Sequence, residues 1–203
     1  GMMELEFEGF YPAGIFVAAK GSEQGAKKKY ALLAQDGSIK VRGFETVRRN
    51  LSAIAKETQE KVLGIILNER NPQKAFEHAQ AVISELRSKK VPLEKTVIVT
   101  QLQKEIGSYE SFGPHVAVAQ RMKSQGLPSG AGTIIRYIVV QGKERIRDRA
   151  RLPEEVKSQG YDSEYYIKNQ VVPAIGKIFE VFGYNANELV EEKSQSKLQS
   201  FFT

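Results

Sequence analysis

The 203-residue sequence contains no cysteine, which excludes disulfide bonds and cysteine-ligated zinc or iron–sulfur centres. No apolar run approaches the roughly 20 residues that a membrane-spanning helix needs. The start Gly1-Met2-Met3-Glu4 lacks the basic and apolar stretches of a secretory signal. A cytoplasmic protein that does not enter a membrane is therefore expected. Gly1 in front of Met2 is typical of a cleaved tag, which would make Met2 the natural first residue.

Common catalytic motifs are also missing. The sequence has no glycine-rich triphosphate loop and no Ser, His and Asp set of the kind that nucleophilic enzymes use. Its three aspartates, Asp36, Asp148 and Asp162, stand apart in a predicted turn, a basic loop and a predicted helix cap. His78 has no nearby companion for metal binding and is expected on a helix surface. We therefore assign no catalytic residue in this chain.

Basic residues are unevenly distributed within a net charge of +6. Eight of them lie between Lys20 and Arg49, against three acidic residues. A second cluster consists of Lys143, Arg145, Arg147, Arg149 and Arg151. Two separated basic patches suit a polyanion lying along a surface, although two ordinary solvated loops would look the same in the sequence.

The first part of the chain has the pattern of β-strands. Residues 4–10 alternate between charged and apolar side chains, the period of a half-buried strand. Residues 14–19 and 30–34 are short apolar runs, and Asp36-Gly37 predicts a hairpin turn before Ile39-Lys40-Val41. These segments together predict a small antiparallel sheet.

The remainder has mainly the helical period. Apolar residues from Val47 to Ile65 predict a long amphipathic helix ending near Asn68, and Asn71-Pro72 predicts the cap of a second helix toward Arg87. Further predicted elements are a strand over 96–100, a helix over 114–123, a strand over 133–140, and a helix from Asp162 to Phe182 with a kink at Pro173. We predict an α+β fold with a β segment over 1–45, a mostly helical domain with a short β element over 46–190, and a flexible tail over 191–203.

The tail carries a compact motif, Gln195-Ser196-Lys197-Leu198-Gln199-Ser200-Phe201-Phe202. It resembles the peptide with which proteins dock on a PCNA-type sliding clamp. One tight helical turn would bring Leu198, Phe201 and Phe202 to the same side as an apolar plug, while Gln195 makes hydrogen bonds in a separate pocket. The alternative is a tail that folds its aromatic residues onto its own domain.

A lysine triplet, Lys27-Lys28-Lys29, leads into the predicted strand at Tyr30. Strand alternation places Lys28 and Tyr30 on one face, and a cation beside a phenol suits a nucleic-acid strand. A solvated strand end is the simpler alternative for the triplet considered alone.

Longer segments follow one another in a recognisable order. They are Glu4–Tyr11, Lys27–Tyr30, Gly43–Arg49, Ile54–Gln59, Gly113-Pro114-His115-Val116-Ala117-Val118-Ala119 and Tyr165–Ala174. This collinear series resembles the C-terminal part of an archaeal-type family B DNA polymerase, from the last palm strands through the thumb, and it covers essentially the whole chain.

The resemblance implies DNA-binding roles for residues that match the family. Lys28 and Tyr30, with Lys27 in support, would hold the primer strand, and Arg48 and Arg49 match paired arginines of the family. Lys104 and Tyr109 match thumb positions that flank DNA. Pro114, His115 and Val116 would present a helix N-terminus to a phosphate. For His115, donation to a phosphate and packing at the helix start are alternatives of equal standing.

The resemblance also implies that the catalytic residues belong to a partner chain. Family B enzymes hold two metal ions with aspartates on two palm motifs, one of them Tyr-x-Asp-Thr-Asp, and neither motif occurs here. We therefore expect the small subunit of a split polymerase, inactive alone, with Mg²⁺ bound in the assembled enzyme and the catalytic palm on a large partner subunit. Glu6, on a face shared with Glu4 and Glu8, could border the metal site, although a charged edge strand is the simpler alternative. The alternative function is a non-catalytic DNA-binding adaptor that tethers other factors to the clamp.

Overall fold

The computed structural model describes residues 13–17, 29–42, 50–158 and 160–191. Its first element is an antiparallel sheet of β1 (Ala13–Val17), β2 (Lys29–Leu33) and β3 (Ile39–Arg42), in that order. The turn between β2 and β3 is fixed by the Asp36 carboxylate, which accepts hydrogen bonds from Ser38 N and Ser38 Oγ at 2.9 and 2.6 Å. Gly37 has a φ of 83°, which a side chain would disfavour. The predicted hairpin is confirmed.

Two long helices follow the sheet. They are α1 (Ala53–Glu69) and α2 (Pro72–Arg87), which pack against each other. The predicted start of α2 is confirmed, because the Asn71 side chain accepts a hydrogen bond from Lys74 N at 3.0 Å. The predicted helix from Val47 is wrong over residues 50–52, where the chain is irregular and Ser52 has an extended ψ of 158°. Residues 43–49 lie outside the described ranges, so the predicted domain boundary at 45/46 stays a prediction.

A second antiparallel sheet is formed by β4 (Ile98–Gln101), β5 (Ile134–Val139) and β6 (Ala150–Arg151), with α3 (Pro114–Ser124) packed against β5 and β6. The strand predicted from residue 96 begins two residues later. Leu93–Thr96 is instead a 3₁₀ turn, in which the buried Thr96 hydroxyl donates to Leu93 O at 2.6 Å. That local hydrogen bond competes with the ladder at the strand's start.

The last part is helical but does not form one uniform helix. Asp162 caps α4 (Ser163–Tyr166) by accepting from Tyr165 N at 3.1 Å, as predicted. A π turn over Ile167–Val171 then leads into α5 (Val172–Val181). The kink predicted at Pro173 stays a prediction, but the hydrogen bonding widens to a π turn just before this residue, because its ring leaves no N–H and needs space beside the carbonyl four residues earlier. A short α6 (Ala186–Val190) was not predicted.

The core lies between α1, α2, α5 and the second sheet. Tyr166 is fully buried in it, and its hydroxyl donates to Thr96 O at 2.6 Å and accepts from Val139 N at 3.2 Å. Burial raises the pKa of Tyr166, so the hydroxyl stays neutral and can donate. The predicted α+β class is confirmed. Among the described helices, none combines the length and apolarity that a membrane span requires.

Candidate nucleic-acid interface

The loop between β4 and α3 brings Lys104 and Tyr109 together. The Tyr109 hydroxyl accepts hydrogen bonds from Gln103 N at 2.8 Å and Lys104 N at 3.3 Å, which closes the loop on itself. Lys104 Nζ then lies 5.7 Å from the centroid of the Tyr109 ring, within cation–π range. The Lys104 side chain is exposed, so its ammonium group is presented to solvent from a defined position.

This loop is anchored to the sheet behind it. Leu102 N donates to Thr133 O at 2.9 Å, and Gly132 N donates to Leu102 O at 2.7 Å. The Glu105 carboxylate accepts from Ala131 N at 2.9 Å. Glu105 therefore holds the loop in place, a role that its position in the sequence did not indicate.

His115 completes the cluster from the start of α3. Its ring meets the Tyr109 ring edge to face, with centroids 5.6 Å apart. It also folds back over Gly113, where an added Cβ would lie 3.1 Å from His115 Cε1 and Nδ1. Burial lowers the pKa of His115, so the imidazole is neutral at neutral pH. Packing at the helix start is therefore observed for His115, and a neutral ring can still donate one hydrogen bond.

The N-terminus of α3 leaves a backbone donor without a partner. Pro114 has no N–H, and Val116 N and Ala117 N both donate to Gly113 O at 3.1 Å. Gly113 has no side chain to cap the helix, and among the described residues His115 N has no hydrogen-bond partner. A helix N-terminus with an open amide favours an anion. Lys104, Tyr109 and His115, together with this helix start, are called the α3 site below.

The second basic cluster divides into structural and exposed members. Arg149 donates to Glu144 O and Val140 O, each at 2.9 Å, and forms an ion pair with Asp162 that is mostly buried. Arg151 donates to Asp148 O at 2.7 Å. Lys143 and Arg145 are exposed. The 3₁₀ turn Ile146–Arg149 packs against α3, so these two cations belong to the same structural unit as the α3 site.

Several predicted site residues lie outside the described residues. For Tyr30 the backbone is described, in β2 opposite Phe16 and Arg42, but its side chain is not. The others are Glu6, Lys27, Lys28, Arg48, Arg49, Gln195, Leu198, Phe201 and Phe202. Their roles stay predictions. Of the predicted DNA-binding residues, the structure brings together Lys104, Tyr109, Pro114, His115 and Val116.

The described residues contain no group of three His, Asp or Glu side chains that could hold a metal ion. Glu6, the residue predicted to border the metal site, lies outside the described residues, and the catalytic aspartates are expected on a partner chain.

The family model and the similar proteins point to the same family. The model for DNA polymerase family B matches residues 2–182. The chain is 46% identical over 197 residues to a DNA polymerase of Thermococcus aggregans and 44% identical over 202 residues to one of Methanocaldococcus jannaschii. These matches cover 96% and 100% of the chain but only 10% and 12% of the relatives.

A solved structure agrees. The family B DNA polymerase from Pyrobaculum calidifontis matches with a TM-score of 0.71 and 31% identity, over 89% of this chain and 23% of that one. The chain thus spans a small fraction of the length of the proteins that it matches. Taken with the α+β fold and the α3 site, these similarities show that the chain belongs to DNA polymerase family B.

Proposed function

We propose that this chain is the small subunit of a split family B DNA-directed DNA polymerase. Its strands β1–β3 complete the palm, its helical part is the thumb that grips primer–template duplex, and its tail binds a PCNA-type sliding clamp. The catalytic aspartates and their Mg²⁺ ions belong to a large partner subunit. The observation that carries the proposal is the α3 site in a chain of this family.

The α3 site has the properties that a DNA backbone contact needs. Lys104 supplies the positive charge, and the open amide of His115 supplies a donor aligned with the helix dipole. Neither group reads a base, so the contact would position the duplex without selecting its sequence. This suits a thumb, because a polymerase has to hold every sequence it copies.

Lys143 and Arg145 are exposed on the loop that packs against α3. Since this 11-residue helix is only about 16 Å long, we propose that both basic sites contact the same duplex, a few phosphates apart. The loop is held by Arg149, so these cations are presented from a fixed backbone.

Binding of the chain to a primer–template duplex, measured across salt concentrations, tests the α3 site. Lys104→Met is expected to weaken binding and to reduce the slope of log affinity against log salt by about one. Lys90→Met is the matched control, because Lys90 is an exposed lysine beyond the end of α2. Equal slopes for the two variants would contradict the assignment of Lys104 to a phosphate.

A DNA-binding adaptor that tethers other factors to the clamp is the alternative function. Both candidate functions use the α3 site and the tail, so measurements of DNA binding and clamp binding do not distinguish an adaptor from a polymerase subunit. Nucleotide incorporation does, because only a polymerase subunit restores it to an enzyme that lacks this part of the family fold.

A further inference from the structure

Residues 50–52, directly before α1, are held by a buried side chain from far along the sequence. Gln170 is 5% exposed. Its Oε1 accepts from Ser52 N at 2.7 Å, and its Nε2 donates to Asn50 O at 3.1 Å. One amide therefore satisfies backbone groups on both sides of Leu51, across 118 and 120 residues of sequence.

The start of α1 depends on this contact because its own cap is not made. Ser52 is the N-cap residue, and a serine there usually accepts a hydrogen bond from the first turn. Here its side chain makes no cap bond, and Ser52 Oγ has no hydrogen-bond partner among the described residues. The direction in which the chain enters α1 is thus fixed from outside the helix.

Gln170 is presented by an unusual piece of backbone. It lies in the π turn Ile167–Val171, whose wider ring precedes Pro173, and this turn contacts α1. One turn further on, Gln59 Nε2 of α1 donates to Ala174 O, which links α1 to α5, the helix that follows the π turn. The helix that follows, α5, also contacts β1. The π turn therefore lies where the strand segment meets the helical part.

We propose that Gln170 is a positioning residue that sets the direction in which the strand segment enters the helical part. Through that direction it sets the orientation of the α3 site relative to β1–β3. Gln59 also links α1 to this helical region but makes no hydrogen bond to residues 50–52, so we assign it a role in stability alone.

Hydrogen exchange at the Ser52 amide tests the contact itself. In Gln170→Met, a substitution of similar length without the amide, exchange at Ser52 is expected to be about tenfold faster, because one net hydrogen bond is lost. Asn169→Met is the matched control, since Asn169 is an exposed residue of the same turn. Unchanged exchange at Ser52 in Gln170→Met would overturn the proposal.

Distances across the junction test the positioning role. The chain has no native cysteine, so Gln35→Cys and Lys123→Cys, both at exposed positions, allow spin labels at two chosen sites in the full chain. Wild type and Asn169→Met are expected to give one narrow distance distribution. Gln170→Met is expected to give a broadened or shifted one, while Gln59→Met lowers stability without broadening it.

Two outcomes of the distance measurement would overturn the proposal. One is a narrow, unshifted distribution in Gln170→Met, and the other is equal broadening in Gln59→Met, which would show general loosening instead of positioning. If Gln170→Met does not fold, Gln170→Glu serves in its place. It keeps an acceptor for Ser52 N and loses the donor to Asn50 O, and the same two criteria apply.

Discussion

At the scale of single residues, different side chains supply the charge and the packing of the α3 site. Lys104 carries the charge and is exposed, whereas His115 is half-buried between Tyr109 and Gly113. Since burial lowers the pKa of His115, the ring adds no positive charge near neutral pH. In the proposed contact, attraction to a phosphate would therefore come from Lys104 and the start of α3, with His115 packed between them.

The buried imidazole makes stability depend on pH. Its pKa in the folded chain lies below the value of 6.5 for an unperturbed histidine, so unfolding takes up a proton between these values. The resulting stability is present above pH 6.5 and is lost as pH falls through the lower, folded-state pKa. Between pH 8 and about pH 5, His115→Gln is expected to lose less stability in urea unfolding than wild type.

His78 has a lowered pKa as well, but it is present in both proteins and its contribution cancels in this comparison. The sequence has only these two histidines, so their imidazole signals can be followed separately by NMR. Parallel pH profiles for wild type and His115→Gln would contradict the burial of His115 that the structure shows.

At the scale of elements, the loop between β5 and β6 shows why arginines of the same basic cluster differ in role. Arg149 makes two hydrogen bonds inside the loop, and the side chains of its ion pair with Asp162 are each 11% exposed. Arg145 lies four residues earlier and is exposed. The sequence presented both as members of one basic cluster, because the partner of Arg149 is 13 residues away and was predicted only as a helix cap.

Matched substitutions separate the two roles. Arg149→Met is expected to lower stability by about 3–5 kcal/mol, because it leaves the Asp162 carboxylate buried without its partner. Arg145→Met is expected to change stability by less than about 0.5 kcal/mol and to weaken duplex binding. Unfolding and binding measurements on both variants check this, and a stable Arg149→Met protein would refute the structural role.

The helix starts also show which features of the fold could be predicted from the sequence alone. The caps of α2 and α4 were predictable because Asn71 and Asp162 bond to backbone within three residues. The start of α1 was not, since it depends on Gln170, 118 residues away. The π turn also needed the structure, because a proline predicts a disturbance in a helix without giving its form.

For the site, the collinear family pattern named Lys104, Tyr109 and His115, and the structure brings them together. Glu105, which anchors their loop to Ala131, was missed because its partner is a backbone N–H, and any residue except proline offers one. A sequence pattern identifies charged and reactive side chains, but it does not show which backbone groups they bind by hydrogen bonds.

At the scale of the whole molecule, the proposal joins a duplex grip to a clamp tether. For the tether, Phe201→Ala with Phe202→Ala is expected to abolish binding to a PCNA-type clamp, because it removes two of the three apolar prongs of the motif. Duplex affinity should be unchanged. Surface plasmon resonance on immobilised clamp measures the first and fluorescence anisotropy the second, and retained clamp binding would refute the motif.

Primer extension tests the central claim most directly. The assay uses this chain alone, the Pyrobaculum calidifontis polymerase cut where its similarity to this chain begins, and the two together. We predict no nucleotide incorporation by this chain alone and a clear gain on mixing, with a smaller gain for Lys104→Met. Absence of any gain on mixing, while this chain still binds duplex, would contradict a polymerase subunit and favour the DNA-binding adaptor.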